Sequence, residues 1–169
     1  MNLTKLFKAQ KVLRERIIKQ HNLEGKNLLP NMLLALQVEL GELANETRCF
    51  KHWSKKGPSE QKVILEEYVD GVHFILEIGI ELGLELSETG SSKVAVQFDG
   101  DETNTQFRLI YKFLSDLDFC SVDEKELYYK QVVSHFIGLG QMLGFTEEQI
   151  EQAYFTKNQI NHERQEQGY

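Results

Sequence analysis

Apolar residues in this chain recur at spacings of three and four almost from end to end, with only two prolines to interrupt them. That period matches the turn of an α-helix and leaves almost no alternating, strand-like pattern. The reading is therefore all-α, a bundle of about six helices. Leu3, Leu6, Phe7, Leu13, Ile17 and Ile18 line one side of a first helix, which ends in the polar stretch 21–27. A second helix starts near Pro30, where a missing N–H costs least, and carries Met32, Leu33, Leu36, Val38, Leu40 and Leu43 to about Arg48. The basic, aromatic segment 50–58 follows, and Gly57-Pro58 marks a turn with Ser59 as N-cap of a third helix. From residue 63 to about 84 that helix is apolar on several sides, which predicts a central place in the bundle. Residues 87–105 are rich in Ser, Thr, Gly and Asp and read as a mobile connection, with 94–98 as a short strand or an ordered loop. A fourth helix covers 107–117. Ser121-x-x-Glu124 and Thr146-x-x-Gln149 are capping boxes, each opening a further helix, and Gly144 separates those two.

At 169 residues and 41% hydrophobic, the chain has the length of one ordinary domain, residues 1–169, with enough apolar side chains for a continuous core. A net charge of −7 and a pI near 5.3 argue against nucleic acid and anionic membranes as partners, since both reward a positive face. Cys49 and Cys120 stand alone, which fits reduced thiols rather than a zinc site or a disulfide framework. No apolar run approaches the roughly 18 residues of a membrane span. These features predict a soluble, cytoplasmic protein.

Two acidic pairs interrupt the apolar pattern. Glu39 and Glu42 lie three apart on the second helix, Glu67 and Asp70 three apart on the third, so each pair projects from one face. Either pair alone reads as ordinary solvated helix surface. Two pairs on successive helices, each flanked by apolar residues, can converge if the helices pack antiparallel. Two carboxylates ~4 Å apart repel by roughly 4 kcal/mol at an effective dielectric near 20, so a converged set calls for cations. Oxygen-only ligands suit Mg²⁺ or Mn²⁺, which bridge phosphate oxygens and acidify water. A di-iron carboxylate site is the weaker choice: Asp70-x-x-His73 offers half of its pattern, but neither His135 nor His162 has a Glu three residues before it. His73 reads as a hydrogen-bonded core histidine beside the carboxylates.

An enzyme cutting a triphosphate also needs positive charge and a platform for the base. Lys51, Lys55 and Lys56 cluster around Trp53, which can stack on a base. Tyr154, Lys157, Asn158, Asn161 and Arg164 recur at spacings of three and four, a polar stripe along the last helix. Lysine and arginine there can hold phosphates while the amides bond a base or sugar. The alternative is an exposed, fraying terminal helix.

Taken together, the segments ELGELANE from Glu39, FKHWSK from Phe50, EEYVDGVHF from Glu66 and YFTKNQINHERQEQGY from Tyr154 resemble the dimeric dUTPases of the all-α NTP pyrophosphatase (MazG-like) superfamily. The acidic pairs carry the superfamily resemblance, and the Trp-Lys segment with the C-terminal pattern carries the dUTPase one. The resemblance implies a homodimer of helical subunits that binds two or three Mg²⁺ and converts dUTP to dUMP and pyrophosphate, accepting dUDP as well. It implies metal ligation by Glu39, Glu42, Glu67 and Asp70, with Glu39 orienting or deprotonating the attacking water. It further implies phosphate contacts from Lys157 and Arg164, joined by Lys55 or Lys56. Trp53, Asn161 and Tyr169 correspond to nucleoside-pocket residues and Gln10 to a uracil-reading glutamine, with His73 and Asn158 beside them. Two rivals are a related pyrophosphatase acting on dCTP or a broader set of NTPs, and a non-catalytic helical interaction module.

Overall fold

The computed structural model describes residues 1–84 and 103–168, which form helices and connecting turns. In chain order the helices are α1 (Leu3–Gln20), α2 (Leu29–Thr47), α3 (Gln61–Glu81), α4 (Thr103–Phe119), α5 (Lys125–Met142) and α6 (Glu147–Glu166), with a single 3-10 turn, Val122–Glu124, leading into α5. No strand occurs among the described residues. Residues 94–98, expected as a short strand or an ordered loop, and most of the 87–105 connection lie outside them, while Thr103, Asn104 and Thr105, assigned to that connection from sequence, already belong to α4.

Local chemistry accounts for most helix ends. The Asn2 side chain caps α1 through Lys5 N–H, and Pro30 sits in the first turn of α2. Both capping boxes form as expected, at Ser121 with Glu124 and at Thr146 with Gln149. Ser59 does not cap α3. Its backbone N–H bonds Glu46 O at 3.0 Å and its hydroxyl donates to the Glu46 carboxylate, so it ties the loop to the end of α2, and Glu60 becomes the residue before the helix.

The same tie fixes the direction of packing. Glu46, near the end of α2, meets Ser59 before α3, whereas Leu28, before α2, donates its N–H to Glu81 at the end of α3. The two helices therefore run antiparallel. α3 is the central element, packed against α1, α2, α5 and α6, and its buried residues come from several faces, including Ile64, Tyr68, Val72, Ile75 and Leu76. Val38, expected among the core residues of α2, is exposed instead, because Leu33, Leu36, Leu40 and Leu43 already fill the side facing α3 and the core. Ile17 and Ile18 stand half-buried at the wall of a cavity rather than in the core.

Candidate active site

Antiparallel packing brings acidic residues of α2 and α3 together. Carboxylate oxygens of Glu39, Glu67 and Asp70 all lie within 4.8 Å of one another. Glu42 is not part of that cluster. One turn beyond Glu39 it is exposed, and with Glu67, Asn45 and Glu46 it borders an adjoining open groove. Glu67 thus belongs to the three-carboxylate cluster and also borders the groove with Glu42. The electrostatics register all four: burial first, then Asp70, Glu42 and Glu67, push Glu39 up to about 7, and Lys157 pulls the other way. Glu67 is raised for the same reasons, burial leading. Glu39 and Glu67 are only partly withdrawn from water, so solvent tempers this repulsion. An all-oxygen donor set in which burial and neighbouring carboxylates raise Glu39 and Glu67 fits a hard divalent cation.

Glu39 and Asp70 also line a cavity of about 450 Å³, within the range of small-molecule sites. Its walls include His73 and Glu77 of α3, Gln10 and Arg14 of α1, and Lys157, Asn161 and Arg164 of α6. Its lining also includes the apolar Leu13, Ile17, Ile18, Leu28 and Met32. Lys157 donates from Nζ to Asp70 Oδ2 at 2.6 Å, so a lysine expected at phosphate already stands against the carboxylate cluster. The α6 stripe is therefore not a frayed surface helix: Tyr154 and Asn158 are buried, and Tyr154 reaches α1. Asn158 is buried and does not line the cavity.

Trp53, Lys55 and Lys56 lie elsewhere, in an exposed loop outside the lining of that cavity. Trp53 is 67% exposed, with His52 edge-on at 4.9 Å and Phe50 at 6.0 Å. The loop begins at Arg48, which takes a left-handed conformation (φ 57°) and pins it by bonds to Lys56 O and Ser54 Oγ. Tyr169 lies outside the described residues.

The chain matches the family model described as dUTPase over residues 2–169. It belongs to the dUTPase family. No curated protein matches it. Membership makes the chain an enzyme of the dUTP diphosphatase class with an all-α fold, and no helix among the described residues is long and apolar enough to cross a membrane.

Within this dUTPase-family fold, a polar network in the cavity wall joins Gln10, His73 and Tyr154 to Arg14, Glu77 and Glu81, which the motifs did not single out. Arg14 Nη1 donates to Glu77 Oε2 at 2.6 Å, and Arg14 Nη2 to Glu81. Gln10 Nε2 donates to Glu77 Oε1 at 2.6 Å, while Gln10 Oε1 accepts from the Tyr154 hydroxyl at 2.7 Å and from His73 Nδ1 at 2.8 Å. Burial raises the Glu77 pKa, opposed by the Gln10 and Arg14 hydrogen bonds and the Arg14 charge. Burial, with Lys157 behind it, lowers His73 to about 3, so the ring is neutral, and its Nε2 is buried without a hydrogen-bond partner. The signal for this network was present in the sequence. Gln10 and Arg14 are four apart, and Asp70, His73, Glu77 and Glu81 continue one stripe at spacings of three and four along an otherwise apolar helix.

Proposed function

We propose that this chain hydrolyses dUTP to dUMP and pyrophosphate in a Mg²⁺-dependent reaction, and accepts dUDP by the same chemistry with release of phosphate. The observation that carries this reading is that two members of the carboxylate cluster, Glu39 and Asp70, share one cavity wall with Lys157, Asn161 and Arg164. Glu39, Glu67 and Asp70 would hold the metal, with Glu42 joining from the adjoining groove and the number of ions set at two or three. When bound, Mg²⁺ supplies the charge that offsets the phosphate chain and the Lewis acidity that lowers the pKa of water. Mn²⁺ has the same ligand preference.

The chain's own groups do the rest. Glu39, whose carboxylate is basic for its type, orients the attacking water and takes its proton as the phosphoanhydride bond breaks. Lys157 and Arg164 neutralise phosphate oxygens, which requires Lys157 to exchange Asp70 for substrate in whole or in part. Asn161 and Gln10 address the nucleoside, with His73 and Asn158 packed behind them. Trp53, Lys55 and Lys56 meet the nucleotide from the exposed loop outside the cavity wall, and Tyr169 adds a nucleoside contact by the same resemblance. We place this chemistry in one domain spanning residues 1–169, acting as a cytoplasmic homodimer.

A Mg²⁺-dependent panel of dUTP, dUDP, dCTP, dTTP and the ribonucleotides tests reaction class and base choice together. Preferential pyrophosphate release from dUTP is expected. Equal rates with dCTP and dTTP would reject the uracil assignment, and no release from any nucleotide would reject the reaction.

A further inference from the structure

Glutamine is an ambiguous reader of bases. Its amide presents an acceptor at one end and donors at the other, and a half-turn about its last bond exchanges them. A freely rotating glutamine therefore accommodates a base bearing a carbonyl oxygen and one bearing an amino group equally well. Gln10 is not free to make that turn. It is 2% exposed, and three groups from two other helices hold its two ends apart.

On one side stands Glu77, bonded by Arg14, and a carboxylate can only accept. The amide nitrogen must face it, as the 2.6 Å contact has it. On the other side stand two donors. The Tyr154 hydroxyl reaches Oε1 at 2.7 Å, and His73 presents Nδ1 at 2.8 Å. Neither ring can swing away: Tyr154 is fully buried, and the two rings stack at 4.4 Å between centroids. The neutral state of His73 leaves it one N–H, and the geometry spends that N–H on Gln10. Rotating the amide would set its oxygen against the Glu77 carboxylate, two acceptors with no proton between them. His73 could answer only by moving its N–H to the buried, partnerless Nε2, whereas the Tyr154 hydroxyl could accept and pass its proton to Leu6 O at 3.3 Å, so Glu77 is the group that forbids the turn.

Both lone pairs of Oε1 and one N–H are thereby used inside the protein, and the second N–H is what Gln10 has left to offer the cavity it lines. We infer that Glu77, held by Arg14 and with His73 opposite, is a positioning residue that locks Gln10 as a donor only, so that the pocket takes a base with a carbonyl oxygen at that point and rejects one with an amino group. This rests on the proposed reading of the cavity as a dUTP site with Gln10 at the base. It adds the reason that Gln10 can discriminate a 4-oxo from a 4-amino pyrimidine: an amino group would meet an N–H that cannot turn away, leaving a donor buried without a partner.

The experiment is steady-state hydrolysis of dUTP and dCTP, with Mg²⁺, by the full-length wild type, Tyr154→Phe and Glu77→Gln, with melting temperatures alongside. Glu77→Gln can offer either an oxygen or an NH₂ to Gln10, so it permits the turn without leaving a hole; Tyr154→Phe keeps the stacked ring and leaves Glu77 in place. Glu77→Gln is expected to lower the dUTP over dCTP ratio of kcat/KM by about tenfold or more, mainly through improved use of dCTP, and Tyr154→Phe to leave the ratio within about threefold of the wild type. In a Gln10→Ala background Glu77→Gln should not move the ratio further. A purely structural role would reduce both nucleotides alike, and an unchanged ratio in Glu77→Gln overturns the inference while leaving the dUTP reading standing. A wild type that does not prefer dUTP would instead fail the underlying reading, and the inference with it.

Discussion

Glu39 sits where burial and three other carboxylates all work against its ionisation. A carboxyl that ionises near 4.5 in the unfolded chain and near 7 in the folded one keeps its proton longer in the native state. Between those two pH values the native protein binds protons that the unfolded chain has released, so its stability falls as pH rises through this window and levels off above it. Glu67, raised in the same direction, adds to the slope. Melting curves in chelator should therefore drop from pH 4.5 towards 7, and Glu39→Gln should flatten part of that drop. A variant whose slope equals that of the wild type would show that Glu39 titrates normally. Added Mg²⁺ should restore the wild type most at the alkaline end, where the cluster is fully charged. The same substitution keeps the shape of the side chain but cannot accept a proton, so turnover should fall by about 10²-fold or more with the fold intact. Near-normal activity in Glu39→Gln would remove it from the chemistry.

Among the elements, α3 has the most demanding position, because it carries two of the clustered carboxylates and touches four other helices. Close approach is made possible by glycine. A Cβ built on Gly71 would stand 2.6 Å from Phe136 Cζ, and one on Gly140 would stand 2.5 Å from the Tyr68 hydroxyl, both against rings that are buried and stacked on each other at 4.6 Å. Gly71 is the residue after Asp70, so moving α3 away from α5 there would also displace the carboxylate. Gly71→Ala is expected to cost about 1–3 kcal/mol in urea unfolding, and Phe136→Leu in the same chain should recover part of it by making room. A neutral Gly71→Ala would mean that the α3–α5 contact is looser than its geometry. The helix-spanning ties at Ser59–Glu46 and Leu28–Glu81 set which residues of α2 face which of α3. A register shift of one turn would put Glu42, rather than Glu39, opposite Asp70.

For the molecule as a whole, the decisive property is whether the cavity binds. A ligand that binds only the native state stabilises it by an amount set by its concentration over Kd, about 2.7 kcal/mol at a hundredfold excess over Kd. Mg²⁺ together with a non-hydrolysable dUTP analogue should raise the melting temperature by several degrees, more than either alone, since the proposed metal and phosphate sites share the wall formed by Glu39, Asp70 and Lys157. No shift with the pair would favour a helical interaction module whose carboxylates are a charged surface.

The sequence by itself determined that the chain is helical, where most helices begin and end, and which two acidic pairs interrupt their apolar faces. These are local matters: periodicity, capping boxes and Pro30 act within a few residues of one another. It could not place Ser59, whose hydroxyl is claimed by Glu46 thirteen residues earlier, nor show that Glu42 stands outside the three-carboxylate cluster. Tertiary structure decided which carboxylates meet and which of them is forced towards neutrality. It also decided that Gln10, legible from sequence only as a resemblance, is gripped by side chains 63 to 144 positions away. Those outcomes depend on distances between helices, and spacing along one helix carries no information about what the next helix brings against it.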